Sequence, residues 1–436
     1  MRTRRPASGT TTPGSPPSRA AARPVPDPLS ITVAGAGIGG LTAALCLSDA
    51  GHAVTLVERR TGFSEVGAGL QLSPNASRVL ASLGLAAALR RAGSEPPGVV
   101  VRSLKSGSRI GGVRLGEAAR ERYGAPYHVI HRADLQTLLL DAVRSRPGIR
   151  LLVGREVTGL AERADGIAIT VESAGGGRGE TLEADLVIGA DGLRSRLRGH
   201  LDDRPVAPAR MAAWRAIVPR DVVPEALRGG ETGLWLGRGR HVVHYPIGNG
   251  ERVNVVAIVP ERQGDDGWGR LGEPAMLRAH FRDATPELAQ LLGLPDSWLV
   301  WSLADRPTAR PMARGRLALL GDAAHPMLPF LAQGAALAVE DAATLAACLA
   351  GGDVPKALAA YDAARRPRAK RVQKAARANG RVYHAGGFAA LCRNLVMRRL
   401  GPDGMRDRYG WLYGWQPDGN GAHGRTRTDT PEGPGF

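Results

Sequence analysis

The stretch LSITVAGAGIGGLTAALCLSDAGHAVTLVER, from Leu29 to Arg59, reads as strand, glycine turn, helix and strand. The apolar start yields to an Ala/Leu run that ends near Gly51, and HAVTLVE is the next buried strand. Between first strand and helix sits GAGIGG, with Gly35, Gly37 and Gly40 at the positions of a GxGxxG element. Gly35 permits the tight turn, Gly37 lets a pyrophosphate approach the backbone, and Gly40 allows close helix–strand packing. The helix start then offers free N–H groups and a positive dipole end to that phosphate. Glu58 closes the second strand 18 residues after Gly40, with Arg59 beside it. A carboxylate there holds the ribose hydroxyls of an adenosine. The plain alternative, a glycine-rich turn with a surface Glu, fails to explain why strand, helix, spacing and acid all agree. A 2′-phosphate would be repelled by Glu58, which leaves NAD and FAD open.

The whole chain fits such a reading. Its 436 residues exceed one ordinary core, so two closely packed domains are expected, and 43% hydrophobic residues suffice to fill them. No apolar run approaches the roughly 18–20 residues of a membrane span, so a soluble protein without membrane contact is expected. Cys46, Cys348 and Cys392 stand apart in Ala/Leu-rich stretches. That excludes a disulfide framework and a structural zinc site, no metal is expected, and a reducing cytoplasm fits. The net charge of +17 comes from 54 Arg and only 4 Lys. Such a bias points to a GC-rich genome rather than to a nucleic-acid surface. The excess is also local: Lys356 to Arg399 holds twelve basic residues and one acid, Asp362. That run is expected to be a solvated helix face able to attract an anion. The first 28 residues, with seven prolines and five arginines, resemble no targeting segment and read as a disordered extension.

Further along, IRLLVGREVTGLAERADGIAITVES and ETLEADLVIGADG supply several strands, the last apolar enough to be central. Short strands between Gly/Pro turns from Ala212 to Pro260 suggest an antiparallel sheet. From Ala357 to about Leu400 the pattern is helical, with Pro367 a candidate kink.

A second stretch chooses between the dinucleotides. GRLALLGDAAHPMLPFLAQGAALAVEDAATLA sets Asp322 just after a buried strand, where a carboxylate accepts from flavin ribityl hydroxyls. Gln333, Gly334 and Ala335 open a helix whose N–H groups would face the flavin pyrimidine edge and stabilise negative charge there. Pro329 offers a rigid apolar ring without a competing donor. His325 is expected to order the turn rather than to do chemistry.

These residues resemble the single-component flavoprotein monooxygenases of the para-hydroxybenzoate hydroxylase type, especially the salicylate and 6-hydroxynicotinate hydroxylase branch. GAGIGG with Glu58 matches the first FAD motif of that family. ADLVIGADGLRSRLR, with Asp191, Gly192, Ser195 and Arg198, matches its central motif, linked to both FAD and the pyridine nucleotide. The Asp322 stretch matches its second FAD motif. GAGLQLSPNA (Gly67 to Ala76, including Gly69), HRADLQTLL, AWRAIVP and RPRAKRVQ also match, so the likeness runs from about Ser30 to Trp415.

The resemblance implies an α/β (α+β) chain: a Rossmann-like FAD-binding domain, an inserted antiparallel-sheet substrate domain and a C-terminal helical segment. The expected division is 29–100, 128–202 and 300–352 for FAD, 101–127 and 203–299 for substrate, and 353–418 for the helices. Residues 1–28 and 419–436 would flank these as disordered segments. The resemblance also implies that Arg132 and Gln136 contact FAD phosphates or ribose, and that Asp191 acts through backbone and water. NADH or NADPH would visit transiently, since no second GxGxxG is present. Trp214 and Arg215 are expected to pack the domain interface.

In GRGRHVVHYPIGNG a strand puts His241, Val243 and Tyr245 on one face and Val242 and His244 on the other. A polar–apolar–polar face suits an aromatic ring with a hydroxyl, although two half-buried sheet residues would give the same pattern. In the 6-hydroxynicotinate branch a His and a Tyr at this spacing face the substrate. That branch also has a His in the loop where this chain has Gln71, which cannot act as a base. The expected activity is therefore hydroxylation of a phenolic or N-heteroaromatic acid by NAD(P)H and O2, through a flavin C4a-hydroperoxide. The expected form is a monomer or homodimer. An epoxidase or tailoring hydroxylase of a larger metabolite is the enzyme alternative. A non-catalytic flavin- or nucleic-acid-binding protein is the other.

Overall fold

The structure is a computed structural model that describes residues 27–63, 68–177, 179–261 and 269–417. Residues 1–26 of the expected N-terminal extension, the tail 419–436 and Gly67 lie outside the described residues.

The strand Ser30–Ala34 pairs in parallel with Ala53–Glu58 on one side and Leu186–Gly189 on the other. Ile149–Val153 extends this sheet beyond Ala53–Glu58. Leu317–Leu319 joins Leu186–Gly189 in parallel, and a short antiparallel edge, Ala313–Arg314, completes six strands. Both faces are covered, which explains why the strands are apolar at nearly every position. Ile31, Val33, Leu56, Leu186, Val187 and Ile188 are sealed in one core with the helix Ile38–Asp49 and the helix Gly334–Leu349. The α/β reading holds.

An eight-stranded sheet forms the second layer, in the order 270–272, 298–305, 207–219, 252–260, 240–247, 232–237, 98–103, 109–114. Its pairs are antiparallel except one: Thr232–Gly237 runs parallel to Gly98–Ser103. The joins expected at 100 and 300 therefore fall inside strands of this sheet. A two-stranded ribbon, Gly69–Leu72 with His128–His131, bridges the layers. It is tied to the large sheet by the Gly69 N–H, which donates to Asn254 Oδ1 at 2.7 Å.

The C-terminal region is helical, but its break is not at Pro367. One helix spans Val354–Tyr383 with Pro367 inside it, and the chain turns at His384–Gly386 before a second helical run, Gly387–Asp407. That run is itself kinked at Gly401, whose φ is 63°. Nor is the basic run simply solvated. Arg365 is 1% exposed and pairs with Asp341 and Glu340, each at 2.7 Å, while Arg368 reaches the same Glu340 at 2.5 Å. Two acids buried on an Ala-rich helix demand cations, and the arginines of the next helix supply them. Among the described residues no helix is long and apolar enough to cross a membrane.

Candidate active site

The three motif glycines do different work. A Cβ on Gly35 would lie 2.5 Å from the Ala190 carbonyl oxygen, and φ there is +105°. One on Gly40 would lie 1.8 Å from the Gly35 oxygen. These two close the turn. A Cβ on Gly37 would meet nothing within 4 Å, because Gly37 lines an open cavity of about 350 Å³. Glu58 braces the turn from outside the cavity: Oε2 accepts from the Ala36 N–H at 2.8 Å and Oε1 from the Arg60 N–H at 2.9 Å. A carboxylate has further lone pairs, so Glu58 keeps capacity for a hydroxyl. Gln136, buried, donates from Nε2 to the Ala36 carbonyl at 3.2 Å, and its Oε1 is left without a partner. Arg59 is exposed and does not line the cavity.

The cavity is also lined by Gly192, Arg132, Asp322, Gly334 and Ala335. The Asp322 carboxylate opens to the cavity yet is ringed by protein. Burial raises its pKa, against the pull of nearby His325 and Arg132. Gly334 and Ala335 begin a 16-residue helix with no side chain bulky enough to shield its first N–H groups. Gln333 just before it is locked in place. Its Nε2 donates to Ser73 Oγ at 2.9 Å, and its Oε1 accepts from Asn75 Nδ2 at 3.2 Å. His325 is fully buried and its Nε2 meets Asp341 Oδ2 at 2.5 Å. The same oxygen accepts from the Gly321 N–H at 2.9 Å. Burial would raise the Asp341 pKa, but His325 and Arg365 outweigh it and hold the carboxyl well below its usual range. This network fixes the turn that carries Asp322, and His325 stays outside the cavity.

Two residues of the central motif turn inward to the protein rather than toward the cavity. Asp191 Oδ2 accepts from the N–H groups of Arg196 and Leu197, at 2.9 and 3.3 Å. Arg198 is wholly buried and donates to the carbonyls of Ala323 and Ala324, at 3.3 and 3.1 Å. It also pairs with Asp202 at 3.3 Å. It thus clamps the central motif onto the Asp322 turn, and its guanidinium is committed to protein partners.

The far end of the cavity is made by side chains. His241, Val243 and Tyr245 line it together with Val256 and Ile258 of the adjacent strand, and Met327 and Pro329 face them. Val242 and His244 lie on the other face, His244 against Trp235. Burial, then the charge of Arg102, lowers the His244 pKa to about 4. His241 is 3% exposed, and its Nδ1 lies 2.8 Å from His384 Nε2. The rings of Phe330 and Tyr383 stand edge-on to it at 5.7 and 5.4 Å. Burial, then the neighbouring His384, pushes the His241 pKa well below 6.5, so its imidazole is neutral. Tyr245 is equally buried, and burial raises its pKa against the pull of Arg215. Gly69 is what lets Tyr245 in: a Cβ there would lie 2.7 Å from Tyr245 Cε2. Gln71 Oε1 accepts from the Tyr127 hydroxyl at 2.5 Å, which leaves the Gln71 amide nitrogen to serve the cavity as a donor.

Arg215 departs from its expected place. Strand alternation buries Trp214 in the core of the large sheet and turns Arg215 the other way, into the cavity, with its guanidinium 4.3 Å over the Trp301 ring. Its Nε has no hydrogen-bond partner, and among the described residues no carboxylate pairs with it. Burial lowers its pKa to about 10, Tyr245 acting the other way. It stays charged at neutral pH. The period-2 pattern of AAWRAIV was enough to put Trp214 and Arg215 on opposite faces.

Against known proteins, residues 29–376 match the family model described as an FAD binding domain. The 3-hydroxybenzoate 6-hydroxylase of Polaromonas naphthalenivorans (strain CJ2) is 35% identical, over 89% of this chain and 97% of its own. A 3-amino-4-hydroxybenzoate 2-monooxygenase of Streptomyces platensis is 36% identical, over 88% and 96%. The solved structure of a salicylate hydroxylase with its substrate superposes with a TM-score of 0.76 at 27% identity, covering 89% of this chain and 96% of that one. The chain belongs to this family of FAD-dependent aromatic monooxygenases, within its salicylate and hydroxynicotinate hydroxylase branch.

The residues present fit FAD. The space over Gly37 is what a pyrophosphate needs, and the unpartnered Gln136 Oε1 and cavity-facing Asp322 are acceptors awaiting donors.

Proposed function

We propose that this enzyme hydroxylates a small phenolic ring that carries an anionic group, with NADH or NADPH as electron donor and O2 as oxidant. The observation that carries the reading is one cavity wall: a neutral imidazole, a phenol, an amide donor and an unpaired guanidinium set around Val243, Val256, Ile258 and Met327. Arg215 suits a carboxylate on the ring, since an unpaired buried cation gains most from an anionic ligand. The relatives named for hydroxybenzoates agree with that choice.

In this reading His241 takes the phenolic proton at Nε2, the ring nitrogen not facing His384. Tyr245 and the Gln71 amide position the phenol oxygen, and the aliphatic side chains exclude water and hold the ring. Glu58, Gln136, Arg132, Asp322 and the Gly334–Ala335 helix start would hold FAD. When bound, FAD supplies hydride acceptance from NAD(P)H and activation of O2.

A panel of hydroxybenzoates, aminohydroxybenzoates and hydroxynicotinates, scored for both NAD(P)H oxidation and hydroxylated product, tests this. Carboxylated phenols should stimulate both, and their decarboxylated counterparts should bind poorly. Equal use of phenols with and without a carboxylate would remove Arg215 from substrate recognition.

A further inference from the structure

His241 is not a solitary base. Its Nδ1 is bonded to His384 Nε2 at 2.8 Å, and the two rings lie 5.1 Å apart. The partner comes from the turn after the long helix, 143 residues on in the chain. While His241 is sealed from solvent, His384 is half-buried, between the cavity wall and the surface. The Phe330 ring stands edge-on to His384 at 5.5 Å, and the Gly239 N–H donates to its carbonyl at 3.1 Å, so the imidazole is firmly seated. The charged and titratable groups around the pair are few. They are Tyr383, edge-on to His241, Arg393, which donates to the carbonyls of Val382 and Tyr383, and Arg238, packed on Gly386. No carboxylate is bonded to either imidazole among the described residues.

We infer that His384 is the second member of a two-imidazole proton relay, which carries the phenolic proton from the buried end of the cavity to solvent and returns one to the product. This rests on the proposed role of His241 as acceptor of that proton. For His241 Nε2 to accept, its Nδ1 must bear hydrogen and donate to His384 Nε2, which places the His384 proton on Nδ1. On substrate entry the O–H bond breaks and Nε2–H forms. The Nδ1 proton of His241 then passes to His384 Nε2, and the Nδ1 proton of His384 leaves to water. One proton has left, and both imidazoles have exchanged tautomers. When the product oxygen is reprotonated from His241 Nε2, the same hops run inward and restore both rings. No oxidant or reductant is needed. Burial keeps both imidazoles neutral at rest, with His384 lowered to about 4, so each cation is transient.

The test uses oxidised FAD-loaded enzyme without NAD(P)H, and a chromophoric probe, 3-hydroxy-4-nitrobenzoate, whose phenolate is yellow. Stopped-flow mixing at a pH about 1–2 units below the probe's own phenol pKa, where free probe is colourless, reads the rate of ionisation on binding. His384→Gln keeps a hydrogen-bonding partner for His241 but carries no proton. It should slow ionisation roughly 10²-fold or more with FAD content unchanged. His384→Ala should be equally slow, and added free imidazole should restore the rate by refilling the gap. Wild-type ionisation rates in both variants would overturn the relay and leave His384 as packing. Slow ionisation in His384→Ala that imidazole does not restore would also overturn it, since the loss would then be structural. A wild type that binds the probe without ionising it would instead overturn the role given to His241, and the relay with it.

Discussion

The two ends of the cavity are built on different principles. At the dinucleotide end the recognising groups are backbone: a glycine turn, a helix start at Ile38 and another at Gly334, braced by Glu58 only 22 residues from its partner Ala36. At the ring end they are side chains from distant segments. His241 meets His384 across 143 residues, Tyr127 meets Gln71 across 56, and Arg215 stacks on a Trp of the neighbouring strand. In the proposed reading FAD would be held by what the fold cannot change, and the ring by what single substitutions can change.

The largest effect is expected where the backbone does the binding. Gly37 has a φ of −75° and room for a Cβ, so Gly37→Val should fold without strain while its methyl groups block pyrophosphate approach. The purified variant should be folded by circular dichroism and nearly colourless. Gly40→Ala, whose Cβ would sit 1.8 Å from the Gly35 oxygen, should instead fail to accumulate as folded protein. A yellow Gly37→Val would break the comparison at its stronger end.

At the ring end FAD should be retained while the reaction suffers. His241→Ala and Tyr245→Phe should each lower hydroxylated product per NAD(P)H consumed, and His241→Ala should slow hydroxylation roughly 10²–10⁴-fold. The missing product should appear as hydrogen peroxide. Wild-type coupling in both variants would reduce the pair to sheet packing.

How much of this could be read in advance follows the same division. GxGxxG, Glu58 and the Asp322 turn were legible because their requirements are local: a φ, a close approach, a helix start. The His241, Val243 and Tyr245 face was legible because strand alternation is local too. His384 was not, since nothing near the end of a basic helix announces a partner in another domain. The charge run that holds Arg365 and Arg368 predicts, by itself, only a solvated face. The signal that would have placed them was Glu340–Asp341, two acids set in an apolar helix that must find cations.

The buried imidazoles of the His241 strand give the protein a pH signature. His241 and His244 both have pKa values depressed by burial, His244 to about 4 against 6.5 when unfolded. Stability from a depressed histidine is fully present above the unfolded pKa and is lost as pH falls toward the folded one. For His244 that loss amounts to about 3 kcal/mol between pH 6.5 and 4. The Tm of FAD-loaded enzyme should therefore fall steeply across that window. His244→Gln, which titrates in neither state, should flatten the fall by its share. A Tm independent of pH there would mean these imidazoles are not sealed.

The smallest expected effect concerns the Tyr127–Gln71 contact, which positions a donor rather than making one. The Tyr127 hydroxyl donates to Gln71 Oε1 at 2.5 Å, and burial raises the Tyr127 pKa, so the phenol stays protonated and remains a donor. With that oxygen occupied, only the amide nitrogen of Gln71 is turned to the cavity. Tyr127→Phe keeps the ring that packs edge-on against Tyr413, with centroids 6.0 Å apart, and removes only the hydroxyl. The Gln71 amide is then free to rotate, and its oxygen competes with its nitrogen for the cavity. A hydrogen bond of this kind contributes about 0.5–1.5 kcal/mol, so KM for a carboxylated phenol should rise roughly 2–10-fold. FAD content and the coupling ratio should not move. Gln71→Glu separates orientation from chemistry, because a carboxylate in the same place accepts from Tyr127 but offers no donor to the ring. It should weaken binding more than Tyr127→Phe does. If Gln71→Glu instead binds the ring as well as the wild type, Gln71 contributes no donor, and the ring end is held by His241, Tyr245 and Arg215 alone.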